Sequence, residues 1–477
     1  LEPHLDPDQM GGRKGCSVEH YIVKMVHFIL GSLDQDRNSA VLAIPVDYSK
    51  AYNRMLHSDI LCNLIALNVP NCAVKLVKSY LTKRTMCVRY RAATSSFQDC
   101  PGGGPQGGLL TGALFCLQVN KAGSPCIERS LPSLGQHEGS QDQNRISEAP
   151  SMRNTDTQNP ASDQATESQH PSLGQLLEFG PALRQEISPA PPCHDRNKLH
   201  KKSFIDDLTL LERINLNNLV RKETIVGPLN WHDRFQLTLP ADKSILQHQL
   251  VDLQLFTEQH HMKLNKSKTK CLPFISSNTR DFMPQLALEE DSYLEVIYEL
   301  KLVGLVISSD NTWTAHVNYT VARVNRVLWQ LTRFRRLGAT EDKLVTFYIL
   351  KIRSILMFGA VCYHSALTKE LSHKLELQQK RSLAVILGSQ YRSYSHALSV
   401  TSLPRLDLLR EEACLKWATK TQANPLHADL FPLNTSEVQT RWRPKFREYK
   451  CRTDKFYRSA VPSMIRALNQ QDRNIEH

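Results

Sequence analysis

The sequence predicts an α+β fold, and three observations carry that prediction. Apolar runs of strand length, Val41 to Val46, Met86 to Arg91, Ser203 to Leu211, Cys271 to Ile275 and Leu302 to Ile307, are interleaved with stretches whose apolar residues recur at helical spacing. From Thr314 onward the helical pattern takes over. Between the two groups, residues 124–200 are dominated by Ser, Gln, Pro, Asn, Asp and Glu with one aromatic, Phe179, too little apolar surface to offset the entropy of ordering. That segment is predicted to be a disordered insertion that splits one domain into two pieces.

The elements follow in order. Ser17 is placed to cap a helix whose apolar positions Val18, Ile22, Met25, Val26 and Ile29 share a face. A strand over Val41 to Val46 ends at Asp47. Helices begin at Ser58 and Asn71, and Met86 to Arg91 alternates as a strand that puts Arg89 and Arg91 on one side. Ser203 to Leu211 reads as two short apolar strands around an acidic turn. Ser244 to Gln259 is helical through Leu246, Leu250 and Leu253. In the helix from Thr314, Val317, Val321, Val324, Leu328 and Leu331 form one stripe, while Arg326, Arg333 and Arg336 project away from it.

At 477 residues the chain has room for about three domains. With 41% hydrophobic and 22% charged residues it reads as globular and soluble. The most apolar stretch, Leu344 to Leu367, is interrupted by Lys351 and Arg353, so no transmembrane span is expected. The first residues carry neither a signal peptide pattern nor an initiator Met, and the sequence reads as a piece of a longer frame. Charge is lopsided. Residues 311–477 hold 27 Lys+Arg against 13 Asp+Glu, net +14, which leaves 59−27=32 against 47−13=34, net −2, for residues 1–310. Such an excess suits contact with a polyanion, nucleic acid above all. Twelve Cys without a CxxC pair read as reduced, mostly buried thiols and an intracellular protein.

Chemistry concentrates at a few places. Asp206 and Asp207 sit between apolar neighbours in Phe204-Ile205-Asp206-Asp207-Leu208, and Asp47 directly follows an apolar strand. Adjacent carboxylates resist burial unless a cation compensates them. By itself the pair also fits a solvated turn, and Asp47 also fits a helix N-cap. Three carboxylates at strand ends can hold two Mg²⁺ ions, hard cations that prefer oxygen ligands. Pro101-Gly102-Gly103-Gly104-Pro105-Gln106-Gly107-Gly108 is either a plain connector or a loop that lets backbone approach a phosphate.

Taken in order, Asp47-Tyr48-Ser49-Lys50-Ala51-Tyr52, Pro105-Gln106-Gly107, Phe204-Ile205-Asp206-Asp207, Leu264-Asn265-Lys266-Ser267-Lys268-Thr269-Lys270 and Leu302-Val303-Gly304-Leu305 resemble motifs A to E of reverse transcriptases, in the form found in non-LTR (LINE-like) retrotransposons. Gln9-Met10-Gly11 and its neighbours look like the end of the preceding fingers motif. Ser402-Leu403-Pro404 and Asp429 to Asn434 are similar to the tails of such elements. Asn53, Gly108, Phe204 and Pro45 depart from the usual pattern.

The resemblance implies an RNA-directed DNA polymerase working by two-metal catalysis with Mg²⁺, or Mn²⁺ in its place. It implies Asp47, Asp206 and Asp207 as metal ligands and catalytic residues, and Lys268 as an acid or electrostatic aid at the pyrophosphate. Tyr52 would be the gate beneath the nucleotide sugar, with Gln106 and Gly107 lining the nucleotide. Arg326, Arg333 and Arg336 would contact nucleic acid. The implied architecture is a right-hand polymerase palm of the ferredoxin-like split βαβ kind with a helical thumb. Its expected parts are residual fingers over 1–36, palm over 37–123 and 201–313 around the insertion 124–200, thumb over 314–390, and a basic C-terminal region over 391–477. Most of the fingers and any endonuclease are expected to be missing. Expected partners are an RNA template, a DNA primer and deoxynucleoside triphosphates, with no membrane, in a ribonucleoprotein of nucleus or cytoplasm. The rival expectation is a catalytically dead remnant that only binds nucleic acid.

Overall fold

The computed structural model describes residues 5–36, 38–100, 102–120, 199–204, 207–215, 220–223, 235–238, 245–275, 284, 286–289, 292–435 and 443–475. All belong to one compact unit, Leu1–Ser124 with Cys193–His477. The predicted insertion lies outside the described residues, except that Leu199 and His200 are already paired into a strand. Helices and strands are both present, so the α+β class holds in this general form.

The centre is a four-stranded antiparallel sheet of β1 (Ser39–Val46), β2 (Leu199–Phe204), β3 (Asp207–Asn215) and β4 (Leu272–Ile275), in the order β4-β1-β3-β2. Every residue of β1 is buried, as its unbroken apolar run requires. One face, with Val41, Ala43, Leu211 and Phe274, packs on α1 (Val18–Gln35) through Tyr21, Ile22, Met25 and Ile29. The Tyr21 hydroxyl also meets Thr209 Oγ1 at 2.6 Å. Ser17 starts α1 as expected, and His20 completes a capping box by accepting the Ser17 N–H at Nδ1, 3.1 Å. α5 (Ile245–Gln259) is tied to β3 because the buried Glu212 carboxylate accepts from Leu246 N at 3.0 Å. Before it in the chain come α2 (His57–Ala66), α3 (Asn71–Leu81) and α4 (Leu109–Val119). Pro45 sits where β4 has already ended at the Ala43–Leu272 pair, so β1 is an edge there and tolerates a proline.

Four local readings need correction. α2 begins at His57, one residue before Ser58. Met86 to Arg91 is no continuous strand: the chain forms two-residue pairings, Thr85–Met86 with Gln98–Asp99 and Arg89–Tyr90 with Ala93–Thr94, and Arg91 turns at φ +54°. Leu302 to Ile307 is the turn of a hairpin joining β5 (Glu299–Leu302) to β6 (Leu305–Ser308), with Val303 and Gly304 both at positive φ. Finally, only Cys116, Cys271, Cys362 and Cys414 are buried among the described cysteines, while Cys62, Cys72 and Cys87 are exposed on α2, α3 and the paired segment after α3.

Beyond β6 the chain is helical, with α6 (Thr314–Arg336), α7 (Lys369–Leu387), α8 (Leu406–Gln422) and α9 (Ala460–Ile475). Val317, Val324 and Leu331 of α6 are fully buried, with Val321 and Leu328 packed against them. One continuous core runs from α1 through these helices. The segment Glu341–Ala366 is long and apolar enough to cross a membrane by length and composition. Gly359 turns it at φ +65°, and Tyr348, Ile352, Leu356 and Tyr363 lie in the core, while Leu350 and Phe358 are exposed.

Candidate active site at the end of the central sheet

The register of the sheet determines what meets at its end. β1 and β3 pair from Ser39–Asn215 to Val46–Leu208, so one step further Asp47 stands across from Asp207, the first residue of β3. Phe204 pairs with Asp207 across the β2–β3 hairpin. Asp206 lies in the two-residue connection outside the described residues, and of the Asp207 side chain nothing is described.

Asp47 is held in place by backbone. Its carbonyl accepts from Asn265 N at 2.7 Å, and Ser49 N donates to Lys263 O at 2.7 Å, so residues 263–265 continue the pairing of β1 past the end of β4. A turn closed by Lys268 N to Asn265 O, 3.1 Å, then brings the Lys268 ammonium to 3.1 Å from Asp47 Oδ2. The lysine is 65% exposed and the aspartate 33%, so water screens the pair and the contact can open.

The glycine loop is clamped to the same strand end. Gly103 N donates to Met55 O at 2.8 Å and Gly104 N to Tyr52 O at 2.9 Å. At Gly103, φ +72°, a Cβ would stand 2.8 Å from Tyr52 O and 2.9 Å from Asn53 Cα, so no other residue fits without displacing the turn after Asp47. His57 Nε2 and Arg84 Nη1 both donate to the Gly103 carbonyl, at 2.8 and 2.9 Å. Gln106 Nε2 reaches Asn53 Oδ1 at 3.4 Å, while Gly107, φ +85°, has open space where a side chain would begin. At Gly108 a Cβ would stand 2.8 Å from the Tyr80 hydroxyl, which accounts for glycine there. Behind the loop, Tyr52 and Tyr48 pack on Phe115 of α4, ring centroids 5.1 and 6.2 Å apart. Tyr48 is buried, and burial pushes its phenol above the usual range.

Asp47, Lys268, Tyr52, Gln106 and Gly107 thus gather around one strand end, with Asp207 opposite in register. Arg326, Arg333 and Arg336 are exposed on α6, which packs chiefly on α7 and β6 rather than on the sheet. Arg333 lies over the Trp329 ring at 5.5 Å. Asn265, His57, Arg84 and Tyr80 hold the site without having been singled out. Asn265 lies in the lysine-rich run 264–270, whereas nothing local in sequence marks His57 or Arg84 as reaching Gly103. Among the described residues no group of three or more His, Cys, Asp or Glu is placed to hold a metal ion. Compared with known proteins, the sequence matches no family model and no curated protein.

Proposed function

We propose that this chain is an RNA-directed DNA polymerase of the non-LTR retrotransposon kind. In this reading the four-stranded sheet belongs to a polymerase palm and the helices from Thr314 to a thumb and C-terminal region. The observation that carries the reading is the register that puts Asp47 across from Asp207, with Lys268 3.1 Å from the Asp47 carboxylate. The donor chemistry fits Mg²⁺: hard carboxylate oxygens, one already in contact with an exposed and exchangeable ammonium. Asp47, Asp207 and Asp206 would hold the ions. Two Mg²⁺ ions held there would supply activation of a primer 3′-hydroxyl and neutralisation of charge on departing pyrophosphate.

The chain's own groups have separate tasks. The backbone of Asp47 is anchored by the Asn265 N–H, and its carboxylate would face the reacting groups once Lys268 has left it. Lys268, released from Asp47, carries a proton at Nζ that can pass to a pyrophosphate oxygen or simply stabilise its charge. Tyr52, propped on Phe115, offers its ring to the sugar of a deoxynucleoside triphosphate, and the open space at Gly107 admits its base or phosphates. The RNA template and DNA primer would lie against the basic C-terminal third, in a ribonucleoprotein.

A primer-extension assay with Mg²⁺ on an RNA template tests the reading. The chain should add deoxynucleotides, and Asp47→Asn should not, while template–primer affinity stays near that of the parent. Extension by Asp47→Asn at the parent rate would overturn the assignment.

A further inference from the structure

The paired segment between α3 and the glycine loop is unlike the rest of the molecule. Every residue from Thr85 to Asp99 is exposed, including Met86 at 61%, Val88 at 71%, Tyr90 at 69% and Phe97 at 69%. Its pairings are two residues long, joined by Ser95 N to Val88 O at 2.9 Å, and a ribbon of this size is marginal by itself. Order comes from its root, where Cys100 N donates to Arg84 O at 2.8 Å and Arg84 in turn grips the Gly103 carbonyl. The ribbon therefore springs from the loop that is clamped to Tyr52 and Asn53. Within Thr85 to Asp99 the charged residues are Arg89, Arg91 and, at the base, Asp99. The Arg91 guanidinium lies 5.3 Å from the centre of the Tyr90 ring.

We infer that this ribbon is a binding arm for single-stranded RNA, the template strand at the active site; the inference rests on the polymerase reading. Exposed large apolar side chains grouped on one element mark an interaction surface. Planar rings beside guanidinium groups suit an unpaired strand, which offers a base face to each ring and a phosphate to each cation. A duplex keeps its base faces stacked inside, so it would satisfy only the cations. Strands of two residues are too short to add a further strand from another protein, and the interspersed Arg, Thr, Ser and Gln do not make a lipid-facing surface. Charge complementarity thus commits the arm to RNA.

The test is binding of a fluorescent unstructured RNA oligonucleotide to the full chain across a salt series. Tyr90→Ala with Phe97→Ala should lower affinity at least about fivefold per ring without changing the salt slope, the signature of lost stacking. Tyr90→Phe should restore the Tyr90 share. Arg89→Gln with Arg91→Gln should flatten the slope by about 0.7 per lost phosphate contact. Unchanged affinity in both double variants overturns the inference, as does equal loss with duplex RNA. Loss of concentration-dependent self-association instead of RNA affinity overturns it in favour of a second copy of this chain. Asp47→Asn separates the two proposals. Ring-dependent RNA binding in a chain that never extends a primer leaves the arm and removes the polymerase, whereas Asp47-dependent extension with ring-independent binding does the reverse.

Discussion

Asp34 and Asp47 are carboxylates thirteen residues apart in sequence, at the ends of α1 and β1, and the chain treats them in opposite ways. Asp34 is 4% exposed and saturated by Arg452 N at 2.9 Å, Thr453 N at 2.6 Å and the Thr453 hydroxyl at 2.7 Å. Asp47 is a third exposed and meets one mobile ammonium. The first carboxylate is spent on joining the end of α1 to the chain that leads into α9, since buried charge is tolerated when every lone pair is met. The second is held by its backbone and left chemically available. The contrast extends outward. Around α1, His20 and His427 stack at 4.1 Å and His20 Nε2 meets Thr421 Oγ1 at 3.1 Å, all within the core. At the end of the sheet the polar groups face water.

Exchanging the two roles by mutation gives the largest effect. Asp47→Asn should abolish nucleotide addition while moving stability by no more than about 0.5 kcal/mol, as for an ordinary surface change. Asp34→Ala should instead cost about 1–3 kcal/mol by leaving buried donors unmet. Denaturant melts read beside extension assays check the pair, and a strongly destabilised Asp47→Asn would erase the distinction.

Gly103→Ala sharpens the comparison, because that position is structural support placed inside the functional end. A Cβ meeting Tyr52 O at 2.8 Å in a left-handed backbone should cost about 1–3 kcal/mol and lower extension with it. Normal stability and normal extension in this variant would show that the loop is not clamped as described.

The buried histidines of α1 and of the C-terminal helical part supply a pH test. Burial holds His20 at about 3 and His27, His316, His364 and His427 at about 4, all below the ordinary value of 6.5. As pH falls from 6.5 towards these values the unfolded chain binds protons that the folded chain refuses. Stability is therefore fully present above about 6.5 and should decline below it, by up to about 1.4 kcal/mol per pH unit for each histidine that stays neutral. Melting curves at neutral and mildly acid pH check this, and a flat profile would place these rings in water. The smallest effect is expected from α6. Neutralising Arg326, Arg333 and Arg336 should flatten the salt dependence of nucleic-acid binding by about 0.7–0.9 per lost phosphate contact, with little change in sequence preference. An unaltered slope would leave that face merely solvated.

Much of the sheet was legible because burial is written locally. Val41 to Val46 is uniformly apolar and stops at a charge, so both the strand and the candidate ligand at its tip could be read. α6 was legible because its stripe, Val317 to Leu331, repeats at the helical period over about four turns. Met86 to Arg91 misled because its alternation has no core to answer it: both faces stay in water. Leu302 to Ile307 misled because apolar residues flank a turn whose only signal is Gly304, at φ +94°. The placement of Asp47 one register step beyond the Val46–Leu208 pair, opposite Asp207, depends on strand register, and the Asp34 contacts on partners 418 and 419 residues away, which no local pattern encodes.

That separation sets a clock during synthesis. α1 leaves the ribosome early, yet the groups that close over Asp34 are 419 residues behind it, roughly 20–80 s of translation at common elongation rates. Throughout that interval the helix carries an unanswered carboxylate, although the strands that cover its apolar face have all emerged by Ile275. A nascent chain of this kind invites chaperone capture, and one that stops before Thr453 leaves its first helix without the residues that complete it.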